Sequence, residues 1–204
     1  MANKLVVSLS PHVHSGDSVK KNMYWVCIAL VPALLCSFFS FGVGAIITTA
    51  ISVAACVFFE WAYCKLAKTH CKIYDLSAVV TGVLLAFVCP VTIPYWCIII
   101  GDFFAIIVVK QIFGGIGRNI VNPALAGRAF MFSYPALMTN WVKVGFSNAA
   151  GIFSTADAVT AATPLASMSL GQLPEESLGA MFLGNIGGCI GETSVLLLLV
   201  GLVY

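Results

Sequence analysis

Long apolar runs separated by short polar turns cover most of the chain. A membrane-spanning helix needs about 20 mostly apolar residues. The apolar runs lie at 23–41, 43–63, 76–90, 95–113, 123–141, 178–190 and 195–204. This pattern predicts an all-α integral membrane protein, a polytopic helical bundle with about five spans between 23 and 142.

Several of these runs are too short or too interrupted to make one continuous helix. The run at 76–90 ends at a proline, and the run at 123–141 is broken by Arg128 and Pro135. The run at 178–190 is rich in glycine, and the last run is shorter than a span. Such segments are typical of binding and transport sites in membrane proteins with inverted repeats. We therefore predict short, broken helices at these places.

Composition supports the membrane interpretation and narrows the function. The chain is 60% hydrophobic and 9% charged, with a mean hydropathy of +1.01, whereas soluble domains carry about 25% charged residues. The net charge is +2 and the basic residues are scattered along the chain, so no basic stripe indicates nucleic-acid binding. The eight cysteines form no CxxC pair and are interpreted as small hydrophobes. His12, His14 and His70 lie in polar flanks, so no metal site is predicted.

Lysine and arginine positions predict the orientation of the spans. The basic clusters are Lys4 with Lys20 and Lys21, Lys65 with Lys68 and Lys72, and Lys110 with Arg118 and Arg128. The turns at 42–44 and 91–94 carry no basic residue. Because basic residues concentrate in cytoplasmic loops, we predict a cytoplasmic N-terminus and an extracytoplasmic loop at 143–177. The lead at 1–22 does not have the pattern of a signal peptide.

The glycine-rich string GGIGRNIVNPALAGRAF at 114–130 is a first candidate site. Glycines let backbone N–H groups approach a ligand closely, and Arg118 and Arg128 could hold a phosphate or carboxylate. Asn122 followed by proline is typical of a helix start. A cytoplasmic turn with tight helix packing explains the string equally well. The string GGCIGET at 187–193 echoes it, and chance explains the echo about as well as a repeat does.

Acidic residues at membrane depth are functional candidates because a buried charge is costly. Asp102 lies inside the apolar run at 95–113, and Glu192 follows the glycine-rich run. Glu60 and Asp75 lie near the ends of their runs, where an interfacial position is the simpler interpretation. Asp102 and Glu192 therefore remain the stronger candidates.

The string DAVTAATP at 157–164 is a polar island that has two interpretations. Asp157 could cap one helix and Thr163 with its proline could start the next. Alternatively, the string is a modification motif, and the other motifs of the chain decide between the two. In order, they are SPHVHSGDSV, DLSAVVTGVLLAFVCP, KQIFGGIGRNIVNPALAGRAF, DAVTAATPL and GNIGGCIGETS.

This ordered set, which runs from residue 10 to the end, resembles a family of bacterial membrane subunits. The family contains the RnfD subunit of the Rnf complex, the ion-translocating ferredoxin:NAD oxidoreductase, and its close relative, the NqrB subunit of the sodium-pumping NADH:quinone oxidoreductase. The short N-terminal lead favours the Rnf branch. The resemblance implies covalent FMN, joined by a phosphoester bond to the last threonine of a D-x-x-[ST]-x-A-T motif. Those positions are Asp157, Thr160, Ala162 and the acceptor Thr163, with Ala161 where the family usually has glycine.

The resemblance also implies a fold and an organisation. The expected fold is similar to that of urea transporters, with two inverted halves. The segments would be a cytoplasmic lead at 1–22, the first transmembrane repeat at 23–142, the flavin-bearing loop at 143–177 and the start of the second repeat at 178–204. On this expectation the chain holds the first half of the fold and looks truncated.

The implied function is electron transfer coupled to ion movement in the bacterial inner membrane. FMN would be attached by a separate flavin transferase, and the partners would be the other subunits of the complex and membrane lipid. Arg118, Asn119, Asn122 and Arg128 would bound the cytoplasmic end of the cofactor site, and no residue would be catalytic by itself. Asp102 and Glu192 would lie on the path of sodium ions or protons. A second, non-covalent flavin such as riboflavin stays open.

Two other functions remain possible from the residues alone. A solute channel of the urea-transporter type explains the short broken helices without a flavin. A structural membrane scaffold predicts that replacing Thr163 or Arg128 changes only stability. Bound flavin would distinguish electron transfer from both.

Overall fold

The computed structural model describes residues 16–68, 73–141, 163–171, 173, 177–184, 186–192 and 194–204. Within them the secondary structure is helical, without strands. The helices are α1 (Val19–Phe41), α2 (Val43–Leu66), α3 (Ser77–Phe87), α4 (Tyr95–Phe103), α5 (Pro123–Met131), α6 (Pro135–Met138), α7 (Pro164–Ser169), α8 (Leu178–Leu183) and α9 (Val195–Val203). A 3-10 turn (Ile73–Asp75) precedes α3, and a π-helical segment (Phe104–Gln111) continues α4. The three histidines, Asp157 and Thr160 lie outside the described residues.

Helices α1 and α2 are the two in the described part of the chain that are long and apolar enough to cross a membrane. They have 23 and 24 residues, and their bounds follow the first two predicted runs, at 23–41 and 43–63. Only 22% and 33% of their most apolar windows are buried inside the protein, whereas a core helix of a soluble protein would be mostly buried. Both helices therefore present apolar surface outward, as expected for a helical membrane protein.

Helix α3 is a short helix whose far end stops inside the protein. It packs so closely against α2 that a Cβ atom on Gly82 would lie 2.8 Å from the Cα atom of Val53. The carbonyls of Phe87 and Cys89, near its C-terminal end, accept hydrogen bonds from Gly191 N and Ile190 N at 2.9 and 3.0 Å. These bonds satisfy groups that a helix end leaves unpaired, which explains how a helix can end inside the protein.

The predicted breaks are partly confirmed and partly wrong. Pro135 is the first residue of α6 and separates it from α5, as predicted. Arg128 does not break the helix, because it lies within α5. The run at 178–190 is helical only as far as Leu183 and ends at Gly184, which has a φ of 97°.

The two similar glycine strings adopt different backbones. Gly114, Gly115 and Gly117 have φ values of 104°, 87° and 84° and form a tight turn. The described glycines of the second string, Gly187, Gly188 and Gly191, are outside the positive-φ region. Gly191 instead allows close approach to α3, since a Cβ there would lie 2.5 Å from the Cβ of Phe87. The echo is therefore not a local structural repeat, and the urea-transporter-like architecture stays a prediction.

Candidate functional site

A line of buried polar side chains runs along one face of α2. Thr48, Ser52, Cys56 and Glu60 follow one another at intervals of four residues, and each is at most 2% exposed. Residues four apart lie on the same face of a helix, and this face packs against α3, α4 and the π-helical segment. The sequence interpretation missed this face. Its signal was present, because polar residues recur with a helical period inside an apolar run.

Asp102 on α4 faces this line and is fully buried. Its Oδ1 atom accepts hydrogen bonds from Ser52 Oγ at 2.7 Å and from Cys56 Sγ at 3.2 Å. Ser52 Oγ also lies 2.9 Å from the carbonyl oxygen of Gly82 on α3. Oδ2 is buried without a hydrogen-bond partner among the described residues. Asp102 therefore lies in a polar pocket formed by three helices, and its depth in the membrane stays a prediction.

Glu60 forms a second buried cluster, two turns further along α2. Lys110 Nζ lies 3.0 Å from each Glu60 carboxylate oxygen and donates to Ser77 Oγ at 2.6 Å. Gln111 donates to Glu60 Oε1 at 2.8 Å, and Ser77 donates to Asp75 Oδ1 at 2.6 Å. The side chains of Glu60 and Lys110 are each 3% exposed. The charges compensate each other within the protein.

This second cluster bears on two sequence-based interpretations. Glu60 is buried and paired within the protein, and its interfacial position stays a prediction. Lys110 is not a basic residue of a cytoplasmic loop, since it lies at the end of the π-helical segment and points its ammonium group into the protein. A charge that is paired inside the fold carries no information about loop orientation. Lys110 should therefore be left out of the basic residues that predict the orientation of the spans.

Arg128 and Glu192 come together at the end of α3. Arg128 Nη1 lies 3.5 Å from Glu192 Oε1, and Nη2 lies 3.7 Å from Cys189 Sγ. The guanidinium group also lies 5.4 Å from the ring centre of Phe132. The Arg128 side chain is 23% exposed and that of Glu192 is 55% exposed. The structure thus pairs Glu192 with an arginine of the glycine-rich motif, and no hydrogen bond or ion pair joins it to Asp102 within the described residues.

The remaining residues of the glycine-rich motif have separate local roles. Arg118 is exposed and its side chain covers Gly114, where a Cβ would lie 3.0 Å from Arg118 Cδ. Asn122 accepts a hydrogen bond from Ala124 N at 3.0 Å and caps α5, which confirms the predicted helix start. Asn119 Oδ1 and Arg128 Nε are buried without hydrogen-bond partners among the described residues. These two atoms are the buried polar atoms of the motif that are left without a partner in the described residues.

Thr163 starts a helix. It is the N-cap residue of α7, and its Oγ1 atom accepts a hydrogen bond from Ala166 N at 3.3 Å. The helix-start interpretation of this threonine is therefore confirmed. Capping uses a lone pair of the oxygen, so an ester at the same oxygen is compatible with it. The two preceding motif residues, Asp157 and Thr160, lie outside the described residues.

Comparison with known proteins places the chain among a group of membrane subunits. Residues 6–204 match the NQR2, RnfD, RnfE family. The D-type subunit of the sodium-translocating ferredoxin:NAD(+) oxidoreductase complex of Acetobacterium woodii is 43% identical over 204 residues, which cover 98% of this chain and 61% of the relative. Its proton-translocating counterpart from Clostridium ljungdahlii is 41% identical over 212 residues, which cover 99% of this chain and 62% of the relative.

More distant relatives match a shorter segment. The D-type subunit of the ion-translocating oxidoreductase complex of Actinobacillus succinogenes is 39% identical over 136 residues, which cover 65% of this chain and 38% of the relative. The chain thus spans 61–62% of the length of the two more similar relatives. Because the family match covers nearly all of the sequence, the chain belongs to the NQR2, RnfD, RnfE family.

Proposed function

We propose that this chain is part of the RnfD subunit of an Rnf-type membrane complex, which couples electron transfer between ferredoxin and NAD to ion translocation. The observation that carries the proposal is the family match together with identities of 41–43% to two subunits named for that reaction. The outward apolar faces of α1 and α2 support a membrane setting. The partners are the other subunits of the complex and lipid, with the complex in the bacterial inner membrane.

The coupling ion of this complex is sodium or the proton. One relative is named for sodium translocation and the other for proton translocation, although the two differ by only two percentage points in identity to this chain, 43% against 41%. Overall similarity therefore does not choose between the ions. The choice must depend on a few residues around an ion site, which is why the environment of Asp102 matters.

FMN is proposed to be joined through a phosphoester to Thr163 by a separate flavin transferase. The described part of the motif fits such an anchor, because Thr163 is only half-buried and begins α7 with its hydroxyl at the helix start. A phosphate there would be close to backbone N–H groups of the first helical turn, which favour negative charge. When bound, FMN supplies the electron transfer, and the protein supplies attachment and orientation.

Polar groups of the glycine-rich motif are proposed to bound the cytoplasmic end of the cofactor region. Asn119 Oδ1 and Arg128 Nε provide a buried acceptor and a buried donor without partners in the described residues, while Arg118 is exposed and Asn122 caps α5. We therefore assign Asn119 and Arg128 the closer contact with a polar ligand. A second, non-covalent flavin such as riboflavin is a ligand of suitable polarity.

The flavin proposal can be tested on the full-length protein, purified from a host that also expresses the flavin transferase. Intact mass and in-gel fluorescence should show one FMN on the wild type and on Thr163→Ser, but none on Thr163→Ala. Ser177→Ala is a matched control, because Ser177 caps α8 through a hydrogen bond of the same length, 3.3 Å, as that of Thr163. The control should lose a cap worth about 1 kcal/mol and keep the flavin.

Two results would contradict the proposal. Absence of flavin from the wild type, with the transferase active on another substrate, would reduce Thr163 to a helix cap. The alternatives would then be a solute channel of the urea-transporter type or a scaffold. Flavin on Thr163 together with quinone-dependent activity would instead favour the NqrB subunit of the sodium-pumping NADH:quinone oxidoreductase.

A further inference from the structure

Asp102 is a fully buried carboxylate that has no cationic partner within the described residues. The ion pairs in the described part of the chain join Lys21 to Asp17, Lys110 to Glu60 and Arg128 to Glu192. Removing an ionised carboxylate from water costs several kcal/mol unless an opposite charge compensates it. Asp102 therefore requires a positive charge from a source outside these ion pairs, either a proton or a bound metal ion.

The hydrogen bonds around Ser52 point to the same requirement. A serine hydroxyl has one proton to donate, but Ser52 Oγ lies 2.7 Å from Asp102 Oδ1 and 2.9 Å from the Gly82 carbonyl oxygen. With an ionised Asp102, one of these two short contacts would bring acceptor oxygens together without a proton. A proton on Asp102 lets it donate to Ser52 while Ser52 donates to Gly82. A cation bound among the oxygens would also resolve the conflict.

Thr48 adds a further oxygen at the same face. It is fully buried, and its Oγ1 has no hydrogen-bond partner among the described residues. Buried threonines in helices usually bond back to the preceding turn, as Thr49 does to Ala45 O and Thr81 does to Ser77 O, each at 2.8 Å. Thr48 does not. It precedes Ser52 by one helical turn, so their Cβ atoms are about 5–6 Å apart.

We propose that Asp102 and Ser52, with the Gly82 carbonyl and Thr48, form a buried site for one exchangeable monovalent cation, a proton or a sodium ion. Carboxylate, hydroxyl and main-chain carbonyl oxygens at short helices are the groups that hold coupling ions in transporters. The site itself rests on the geometry of α2, α3 and α4. Its role in ion translocation rests on the proposed function.

The surrounding titratable groups do not supply the charge. Helix α4 packs against α2, α3, α5 and the π-helical segment. Cys56 donates to Asp102, and Cys89, just beyond α3, interacts with it electrostatically; neither thiol carries a positive charge. The Glu60–Lys110 pair on α2 and the π-helical segment is internally compensated. Arg128 on α5 is directed to Glu192 and Cys189. Helix α3 has no charged residue.

Infrared difference spectroscopy on the purified complex tests the site. Spectra are recorded for pH steps without sodium, and for steps that exchange potassium for sodium at constant ionic strength and pH. A proton site predicts a carboxylic acid C=O band that responds to pH, is unaffected by sodium and disappears in Asp102→Asn. A sodium site predicts a carboxylate change on sodium addition that disappears in the same variant. If neither step produces a band that Asp102→Asn removes, the proposal is wrong.

Further variants keep the test decisive. Ser52→Ala should shift the Asp102 band, because Ser52 contacts its Oδ1. In the sodium case, Thr48→Val should raise the half-saturating sodium concentration about tenfold, the loss of one polar ligand. Asp17→Asn is the matched control and should leave the Asp102 bands unchanged, since Asp17 is more than half-exposed and paired with Lys21. If Asp102→Asn does not fold, the other two site variants decide: carboxyl bands that neither Ser52→Ala nor Thr48→Val alters would overturn the site.

The result is independent of the flavin. Thr163→Ala should leave the Asp102 bands in place, because no hydrogen bond joins Thr163 to this pocket among the described residues. Asp102 bands in a wild-type protein that carries no FMN would mean that the flavin proposal fails and the ion site stands. FMN on Thr163 without the bands would mean the opposite.

Discussion

Glu60 and Asp102 are two buried carboxylates at the polar face of α2, and they are compensated in different ways. Glu60 belongs to that face, whereas Asp102 faces it from α4. Glu60 has its own cation, since Lys110 Nζ lies 3.0 Å from both of its oxygens. Asp102 is held by a hydroxyl and a thiol, and its Oδ2 has no partner among the described residues. A carboxylate with a fixed counter-charge stabilises an arrangement of helices. A carboxylate without a fixed counter-charge is suited to bind an exchangeable cation, such as a proton or a sodium ion.

The largest expected effect concerns the compensated pair. Lys110→Met should lower the free energy of unfolding by about 3–5 kcal/mol, because it leaves Glu60 buried without its cation. Thermal unfolding in detergent, followed by circular dichroism, measures this. The double variant Glu60→Gln/Lys110→Met should recover much of the loss. Lys21→Met is the control, because its pair with Asp17 is more than half-exposed and should contribute less than about 1 kcal/mol.

An intermediate effect is expected where α2 and α3 touch beside Asp102. Gly82→Ala should cost about 1–3 kcal/mol, since the added Cβ would lie 2.8 Å from the Cα of Val53. It should also displace the Gly82 carbonyl and shift the Asp102 infrared band. Gly44→Ala is the matched control, because its nearest contact would be a Val91 methyl at 3.4 Å. Equal stability of the two variants would contradict the close packing of these helices.

A small effect is expected for the half-exposed pair. Glu192→Gln should change the free energy of unfolding by less than about 1 kcal/mol, because solvent and salt screen a pair of this exposure. The same unfolding assay, repeated at low and high salt, measures the change. A loss comparable to that of Lys110→Met would show that Arg128 and Glu192 form a buried pair in the complete protein.

The smallest effect on stability is expected for Asp102→Asn. This result distinguishes most directly between a carboxylate with a fixed counter-charge, such as Glu60, and one without it. Asparagine has nearly the same shape, and its amide nitrogen can donate to Ser52 while Ser52 donates to Gly82, so the uncompensated charge is removed without loss of these hydrogen bonds. The free energy of unfolding should change by less than about 1 kcal/mol, although ion binding is lost. Destabilisation as large as that of Lys110→Met would show that a fixed charge compensates Asp102.

Local features of the sequence were sufficient to predict most helix positions. The bounds of α1, α2 and α3 follow from apolar length and turn residues, and the starts of α5 and α7 follow from Asn122 and Thr163 before prolines. Each depends on neighbours within one or two helical turns. The break predicted at Arg128 is wrong because a charge in an apolar run does not interrupt a helix whose backbone bonds remain intact.

The sequence by itself determined the membrane class, the family motifs and the positions at which helices start. Only the tertiary structure decided which polar groups meet. Glu60 and Lys110 are 50 residues apart in the chain, as are Ser52 and Asp102. A period of four residues shows that one face of α2 is polar, but it does not show what packs there. That depends on how closely the helices approach at Gly82 and Gly191, because small residues at these points bring the facing side chains within hydrogen-bond distance.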